Sequence, residues 1–172
     1  MRKQKGFSLI ELLIVVAIIL IIAAIAIPNL LRARISANES SAASIVRTLN
    51  TAEVSYVTAY PSVGYSLSMT QLGSAGANPC VPGSGSACLI DETLATTGST
   101  SGKSGYLFAE TGAAGTGGGT GNGTYVVTAK PAAPGSSGVN SFCSIEDAVV
   151  RKDSSGTVAT YASCPGLPSL GN

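Results

Sequence analysis

The sequence contains no histidine. This absence excludes Ser–His–Asp and Cys–His catalysis, and it removes a ligand that most zinc sites use. No paired-carboxylate motif and no nucleophile–base motif is present either. We therefore expect a protein that is not an enzyme and that has no cofactor and no metal site.

Charge is also scarce, at 11% of the 172 residues, and the net charge is +1. The chain beyond residue 60 lacks the basic stripe interleaved with aromatic residues that typifies nucleic-acid binders, so no specific nucleic-acid partner is predicted. Its four basic residues are outnumbered by six acidic ones: Lys103, Lys130, Arg151 and Lys152 against Asp91, Glu92, Glu110, Glu146, Asp147 and Asp153.

No C-x-x-C pair occurs among the four cysteines, Cys80, Cys88, Cys143 and Cys164. Because they follow a long apolar N-terminal segment, disulfides in an oxidising compartment are favoured over metal or redox chemistry. Four cysteines allow three pairings. We favour Cys80–Cys88 and Cys143–Cys164, since each closes a short local loop, and peptide mapping without reduction would decide.

The N-terminus combines a short basic stretch, MRKQKG, with a nearly unbroken apolar run over residues 7–27. As a helix this run would span roughly 31 Å, close to the ~30 Å hydrocarbon core of a bilayer. Three basic residues precede the run and two follow it closely. The positive-inside rule therefore favours a cytoplasmic N-terminus with the rest of the chain outside.

Beyond Pro28 the apolar run gives way to a two-faced helical pattern that Pro61 ends. We predict one long helix over 7–60, which Pro28 should bend or locally unwind. Its apolar positions recur mostly every three or four residues: Leu31, Ile35, Ala42, Ile45, Leu49, Ala52, Tyr56 and Tyr60. Polar residues fill much of the opposite side: Asn38, Glu39, Ser40, Arg47, Asn50 and Glu53.

The chain from residue 61 on is rich in Gly, Ser, Thr and Pro, with short apolar bursts between turn signals. This pattern predicts a small antiparallel sheet packed on the long helix, an α+β fold. Residues 111–124 should form a surface loop, and Cys88–Leu94 a weak helical or strand segment. The predicted strands are Tyr106–Glu110, Thr124–Lys130, Ser141–Ser144, Asp147–Arg151 and Thr157–Tyr161.

Glu11 is the only charge within residues 7–31. One interpretation is local, because Ser8-Leu-Ile-Glu11 spells a helix capping box; another is that the side chain lies near the lipid headgroups. Ionisable groups inside a membrane span, however, usually have a partner. A cut after Gly6 would create an α-amino group on Phe7, one helical turn from Glu11, in the same subunit or a neighbour.

The stretch KGFSLIELLIVVAII, followed by AIAIP, closely resembles the N-terminus of type IV prepilins of the type IVa group and of type II secretion pseudopilins. The resemblance covers about residues 3–60. It implies that prepilin peptidase cleaves between Gly6 and Phe7 and methylates the new Phe7 amine. It further implies that Glu11 pairs with the Phe7 amine of an adjacent subunit during assembly, and that Pro28 marks a bend or an unwound segment.

The resemblance also implies two features of the C-terminal region. Cys143 and Cys164 resemble the ends of the C-terminal disulfide loop of type IVa pilins. Major pseudopilins, which the chain resembles, hold a calcium site near their C-terminus, and Glu146, Asp147 and Asp153 are the candidates for one here, but three carboxylates split by a strand and a turn are weak evidence for such a site. We expect plain surface charge there.

The implied protein is a structural subunit of a homo-oligomeric helical filament. It has a cleaved leader (1–6), a transmembrane and assembly helix (7–60) and a β-rich head (61–172). Its expected partners are prepilin peptidase, the inner-membrane pilus or secretion machinery and, before assembly, membrane lipid. Its expected locations are the inner membrane and then an extracellular pilus. The alternatives are a pseudopilin forming a short periplasmic pseudopilus and, from another class, a membrane-anchored extracytoplasmic enzyme.

The mature N-terminus decides between this prediction and an ordinary secretory signal peptide, for which Ala24-Ile-Ala26 offers a cleavage site. We expect Edman degradation or mass spectrometry to find a methylated Phe7. A mature chain that begins at Ile27 would contradict the prediction.

Overall fold

The structure, a computed structural model, describes residues 8–77, 79–114 and 122–171. The predicted cleavage and methylation site, Gly6 and Phe7, lies outside these residues. The chain divides into two compact units, Met1–Arg34 and Ile35–Asn172. Each is described by itself below.

The long N-terminal helix, α1, covers Leu9–Ala59. It begins just after Ser8 and ends two residues before Pro61, close to the predicted bounds. The backbone remains helical on both sides of Pro28. The local unwinding that the sequence allowed therefore does not occur in α1, although proline lacks an N–H donor and crowds the carbonyl one turn back.

Four strands form one antiparallel sheet in the order β1-β2-β3-β4. They are β1 (Tyr106–Ala114), β2 (Asn122–Pro131), β3 (Ser141–Ile145) and β4 (Arg151–Asp153). Long helix and small sheet together confirm the predicted α+β fold. The first three strands lie where the sequence predicted them, but β1 and β2 are longer, so much of the loop expected at 111–124 is strand.

The strand predicted at Asp147–Arg151 is wrong over most of its length, because β4 starts only at Arg151. The Oδ1 atom of Asp147 accepts a hydrogen bond from the Val149 amide at 2.9 Å, and Ala148 has a φ of 57°. The Asp147 side chain thus binds the Val149 amide, which in a strand would bond to a neighbouring strand. The left-handed conformation of Ala148 turns the chain at the same point.

The strand predicted at Thr157–Tyr161 is also wrong, since residues 156–160 have no regular structure. Here packing replaces strand pairing. Ala159 is buried in a small apolar cluster with Val126, Ile145 and the Cys143–Cys164 disulfide, and the Ser141 hydroxyl donates to the Thr157 carbonyl.

Helical turns account for the rest of the regular structure in the described part of the head. A short helix, α2, covers Met69–Leu72, and a 3-10 turn covers Cys164–Gly166. The segment predicted weakly at Cys88–Leu94 is irregular over residues 88–91, and only its end enters a π-type turn at Thr93–Thr97. The start of this turn is held by Asp91, whose Oδ1 atom accepts the Leu94 amide at 2.8 Å.

The two disulfides are Cys80–Cys88 and Cys143–Cys164, the pairs that the short loops favour. The second closes a separation of 21 residues and joins β3 to the 3-10 turn. Both of its cysteines are fully buried.

The part of α1 at residues 35–59, here called the head segment, packs on the sheet and supplies one side of the core. Its buried apolar residues are Ala42, Ala43, Val46, Leu49, Ala52 and Tyr56, and they join the sheet residues Tyr106, Phe108, Tyr125, Val127 and Phe142 in one cluster. Ile45 and Tyr60 are half-buried against this cluster, whereas Leu31, which the sequence placed on the same face, is 44% exposed.

Two polar residues predicted on the opposite side, Asn50 and Glu53, are buried. Hydrogen bonds to distant residues compensate for the burial of Asn50. Its side-chain nitrogen donates to the Ser144 hydroxyl at 2.9 Å, and its side-chain oxygen accepts from the Tyr125 hydroxyl at 3.3 Å. Burial of a polar group is tolerated when it is hydrogen-bonded.

Glu39 ties the head segment to the approach to β3. Its carboxylate accepts the backbone amides of Val139 at 2.9 Å and Asn140 at 3.0 Å, and the Asn140 side-chain amide at 2.8 Å. Burial alone would raise the pKa of Glu39, but these hydrogen bonds outweigh it and hold the pKa below its usual value. The ionised carboxylate is thus the form that stabilises the fold.

Replacing Glu39 by Ala should lower the free energy of unfolding at pH 7 by about 1–3 kcal/mol, because charge-assisted hydrogen bonds are lost. The wild-type contribution should be present above the unfolded pKa of about 4.3 and disappear as pH falls through the lower folded value. Urea unfolding of the full chain in detergent, followed by near-UV circular dichroism, measures both effects. Ser44→Ala, at an exposed position of α1, is the control; an equal loss there would contradict the assignment.

Candidate functional site

The stretch of α1 at residues 9–31, here called the apolar segment, is the first candidate for function. By length and composition α1 can cross a membrane. The large aliphatic side chains of the apolar segment are 44% to 76% exposed. Such a continuous exposed apolar surface is typical of a membrane or protein contact rather than of a surface in water.

Glu11 lies at the start of this segment and caps the helix. Its Oε2 atom accepts a hydrogen bond from the Ser8 amide at 3.0 Å, and the Leu12 amide donates to the Ser8 carbonyl at 3.2 Å. The glutamate half of the capping box is therefore formed.

Capping leaves Glu11 able to bind a cation as well. An ionised carboxylate offers about four lone-pair positions, and one amide occupies only one of them. The side chain is also exposed in this chain. Glu11 can therefore accept an ammonium group while it still caps α1. The partner predicted for Glu11 is the Phe7 amine, and Phe7 lies outside the described residues.

The carboxylates considered for calcium, Glu146, Asp147 and Asp153, are each engaged elsewhere. Asp147 pairs with Arg151 at 2.5 Å, and this guanidinium lowers the pKa of Asp147. Glu146 accepts the Tyr161 hydroxyl. Asp153 accepts the Ser155 amide and the Thr157 hydroxyl, both at 2.8 Å. Within the described ranges, no group of three or more His, Cys, Asp or Glu side chains could hold a metal ion.

Sequence reasoning missed one buried polar group, formed by Glu53, Ser66 and Glu110. A signal for Glu53 was present, because it lies four residues after Leu49 and three before Tyr56, both of which are buried. Helical spacing alone would have placed Glu53 on the apolar face. Its partners are 13 and more residues away, and no local pattern marks them.

Comparisons with known proteins point to the N-terminal segment. The family model of the prokaryotic N-terminal methylation motif matches residues 1–27. The chain is 68% identical over 40 residues to the type IV wide pilus major component of Thermus thermophilus, covering 23% of this chain and 30% of that protein. It is 48% identical over 54 residues to the type IV major pilin protein of Myxococcus xanthus, covering 31% and 24%. Both matches thus span less than a third of the relative's length. No solved structure gives a significant match.

Two arginines in the middle of the apolar segment should strongly reduce stable membrane integration, whereas one should not. Each Leu, Ile or Val contributes roughly −0.5 kcal/mol to insertion and a central Arg costs about 3 kcal/mol, so a single arginine leaves insertion clearly favourable, whereas a pair cancels nearly all of the aliphatic contribution. The variants are Leu20→Arg and Val16→Arg/Leu20→Arg, and the measurement is the fraction of full-length chain that resists alkaline carbonate extraction of membranes.

The matched control is Ser44→Arg/Thr48→Arg, which has the same spacing on an exposed part of the head segment. It should remain in the membrane like the wild type. Full retention of the Val16→Arg/Leu20→Arg variant would contradict membrane crossing by the apolar segment.

Proposed function

We propose that this chain, whose residues 1–27 match the prokaryotic N-terminal methylation motif, is a structural subunit of a type IV pilus-like filament. The observation that carries the proposal is the apolar segment, which leaves a membrane-length aliphatic surface exposed and holds a carboxylate at its start. Lipid would cover this surface before assembly, and the helices of other copies would cover it in the filament.

The proposed maturation creates the positively charged group that would pair with Glu11. Prepilin peptidase would cut between Gly6 and Phe7 and methylate the Phe7 amine. In the uncut chain the Phe7 nitrogen is a neutral amide, so it cannot offset the charge of Glu11. After the cut it is an ammonium group, which can pair with the Glu11 carboxylate of an adjacent subunit.

The proposed mechanism is assembly rather than catalysis. Moving the apolar segment from lipid to neighbouring helices changes its hydrophobic environment little, because lipid tails are as apolar as leucine. An unpaired carboxylate in such surroundings is costly, and pairing it removes that cost. Close packing and the Glu11–Phe7 ion pair would thus fix which subunits join and at what register.

The proposed location follows from the same segment. The precursor would cross the inner membrane once with its N-terminus in the cytoplasm, and inner-membrane pilus machinery would move it into the fibre outside. Both relatives named above are type IV pilus components by name, so we place the pilus ahead of a type II secretion pseudopilus. Neither of those names describes an enzyme.

Glu11→Gln tests the ion pair apart from the helix cap. Gln caps helices as Glu does but carries no charge, whereas Ala does neither. We expect both variants to be processed and inserted normally and both to form few or no fibres. Fibres are sheared from cells, and the chain in them is quantified by mass spectrometry against the membrane pool.

The outcomes separate the two roles of Glu11. Wild-type fibre yield from Glu11→Gln, with loss only in Glu11→Ala, would assign Glu11 to capping alone and contradict the ion pair. Absence of the wild-type chain from sheared surface fibres would contradict the pilus and favour the periplasmic pseudopilus.

A further inference from the structure

Three polar side chains from three parts of the head meet in its interior. Glu53 comes from α1, Ser66 from the connection between α1 and α2, and Glu110 from β1; together they are called the carboxyl–serine cluster. Glu53 and Ser66 are fully buried, and Glu110 is 7% exposed. Two carboxyl groups thus lie side by side where water does not reach them.

The hydrogen bonds of Ser66 show that the carboxyl groups of Glu53 and Glu110 cannot both be ionised. Its amide donates to Glu53 Oε2 at 3.0 Å. Its hydroxyl oxygen lies 2.5 Å from Glu53 Oε1 and 2.7 Å from Glu110 Oε1. A serine hydroxyl has one hydrogen, so it can donate to only one of the two carboxyl groups. The other contact needs a proton on a carboxyl group, which then donates to the serine oxygen.

The second oxygen of Glu110 supports the same conclusion. Glu110 Oε2 is buried, and no group within the described ranges donates a hydrogen bond to it. An ionised oxygen left in that state would cost the full desolvation penalty of a charge. Burial and the adjacent Glu53 carboxyl both raise the pKa of Glu110 well above its usual value, although the Ser66 hydrogen bond opposes them. The protonated form of Glu110 removes the conflict.

No cation takes the place of that proton among the described residues. The ion pairs among the described residues are Lys103–Asp91 and Arg151–Asp147, and neither includes a member of the carboxyl–serine cluster. The groups around the cluster are the tyrosines Tyr56, Tyr65 and Tyr125, and burial together with nearby carboxylates raises their pKa values. The carboxylates that act on these tyrosines are Glu53, Glu110, Glu146 and Asp147. The local field is therefore negative and favours binding of a proton.

We propose that the carboxyl–serine cluster is a proton-binding site, which holds one proton between Glu53 and Glu110 and docks the Ser66 connection and β1 onto α1 only while that proton is bound. The cluster belongs wholly to the head, so this inference does not depend on the proposed filament function. Its occupancy would make the head more stable at acidic and neutral pH than at alkaline pH.

The sign of the pH effect follows from linkage. A carboxyl whose folded pKa is raised contributes stability that is fully present below its unfolded pKa, about 4.3, and that is lost as pH rises through the folded pKa. Between these two pKa values the unfolding equilibrium constant rises by up to about tenfold per pH unit, and above the folded pKa this group adds no further pH dependence. This trend is opposite to that of Glu39, whose contribution is lost in acid.

Infrared spectroscopy of the full chain in detergent detects the proton directly. The experiment uses the Glu11→Gln background, which removes the carboxyl of the apolar segment. A protonated carboxylic acid has a C=O stretch well separated from that of a carboxylate. We expect this band at pH 7, where exposed glutamates are ionised, and its loss in Glu110→Gln. Glu39→Gln is the matched control and should keep the band. Absence of the band from the Glu11→Gln parent would overturn the proposal.

Urea unfolding of the same chains between pH 6 and pH 9 measures how strongly proton binding at the cluster is coupled to the stability of the head. The unfolding equilibrium constant of the parent should rise with pH in this range, by at most about tenfold per pH unit, and that of Glu110→Gln should not. An unchanged slope in Glu110→Gln would overturn the proposal. Should that variant fail to fold, Glu53→Gln gives the same test from the other side of the pair.

Calcium addition distinguishes a proton from a metal ion in the same cluster. With the proton in place, calcium chloride should stabilise the parent no more than sodium chloride of equal ionic strength. A calcium-specific stabilisation at alkaline pH that Glu110→Gln abolishes would assign the cluster to a cation and overturn the proposal.

Discussion

The exposed aliphatic surface of the apolar segment is the constraint from which the rest of the account follows. Burial of apolar area is worth about 25 cal/mol per Å², and the large aliphatic side chains between Leu9 and Leu31 remain 44% to 76% exposed. Only lipid or other proteins can cover a surface of this length. Because both are equally apolar, the surface itself cannot decide which of them it contacts. In the proposed filament, that decision falls to the one charge within the segment, Glu11.

The head segment of the same helix is built by different rules. Small residues, Ala42 and Ala43, allow the sheet to approach closely, and larger ones fill the space around Tyr56. Three polar anchors then tie this segment to distant parts of the head: Glu39 to residues 139–140, Asn50 to Ser144, and Glu53 to Ser66. Apolar packing gives the head its stability, and these specific contacts fix its arrangement.

The features that the sequence predicts well are those determined by neighbouring residues. The apolar run, the helical period and the short apolar bursts of β1 to β3 are local, and the corresponding helix and strands appear in the structure. The failures have different causes. Asp147 and Ala148 form a turn instead of a strand because a side chain bonds the backbone two residues on, and residues 156–160 pack beside a disulfide instead of pairing. Helical spacing marks Glu53 for the apolar face, but the partners that allow its burial, Ser66 and Glu110, lie far along the chain and have no local signal.

The central claim is that the Glu11 carboxylate of one subunit contacts the Phe7 amine of another in the fibre. Solid-state NMR of fibres assembled from a mixture of two chains tests it directly, with one chain carrying ¹⁵N only in phenylalanine and the other ¹³C only in glutamate. The account predicts a dipolar coupling between the Phe7 nitrogen and the Glu11 carboxyl carbon in mixed fibres. Well-ordered mixed fibres without that coupling would contradict it.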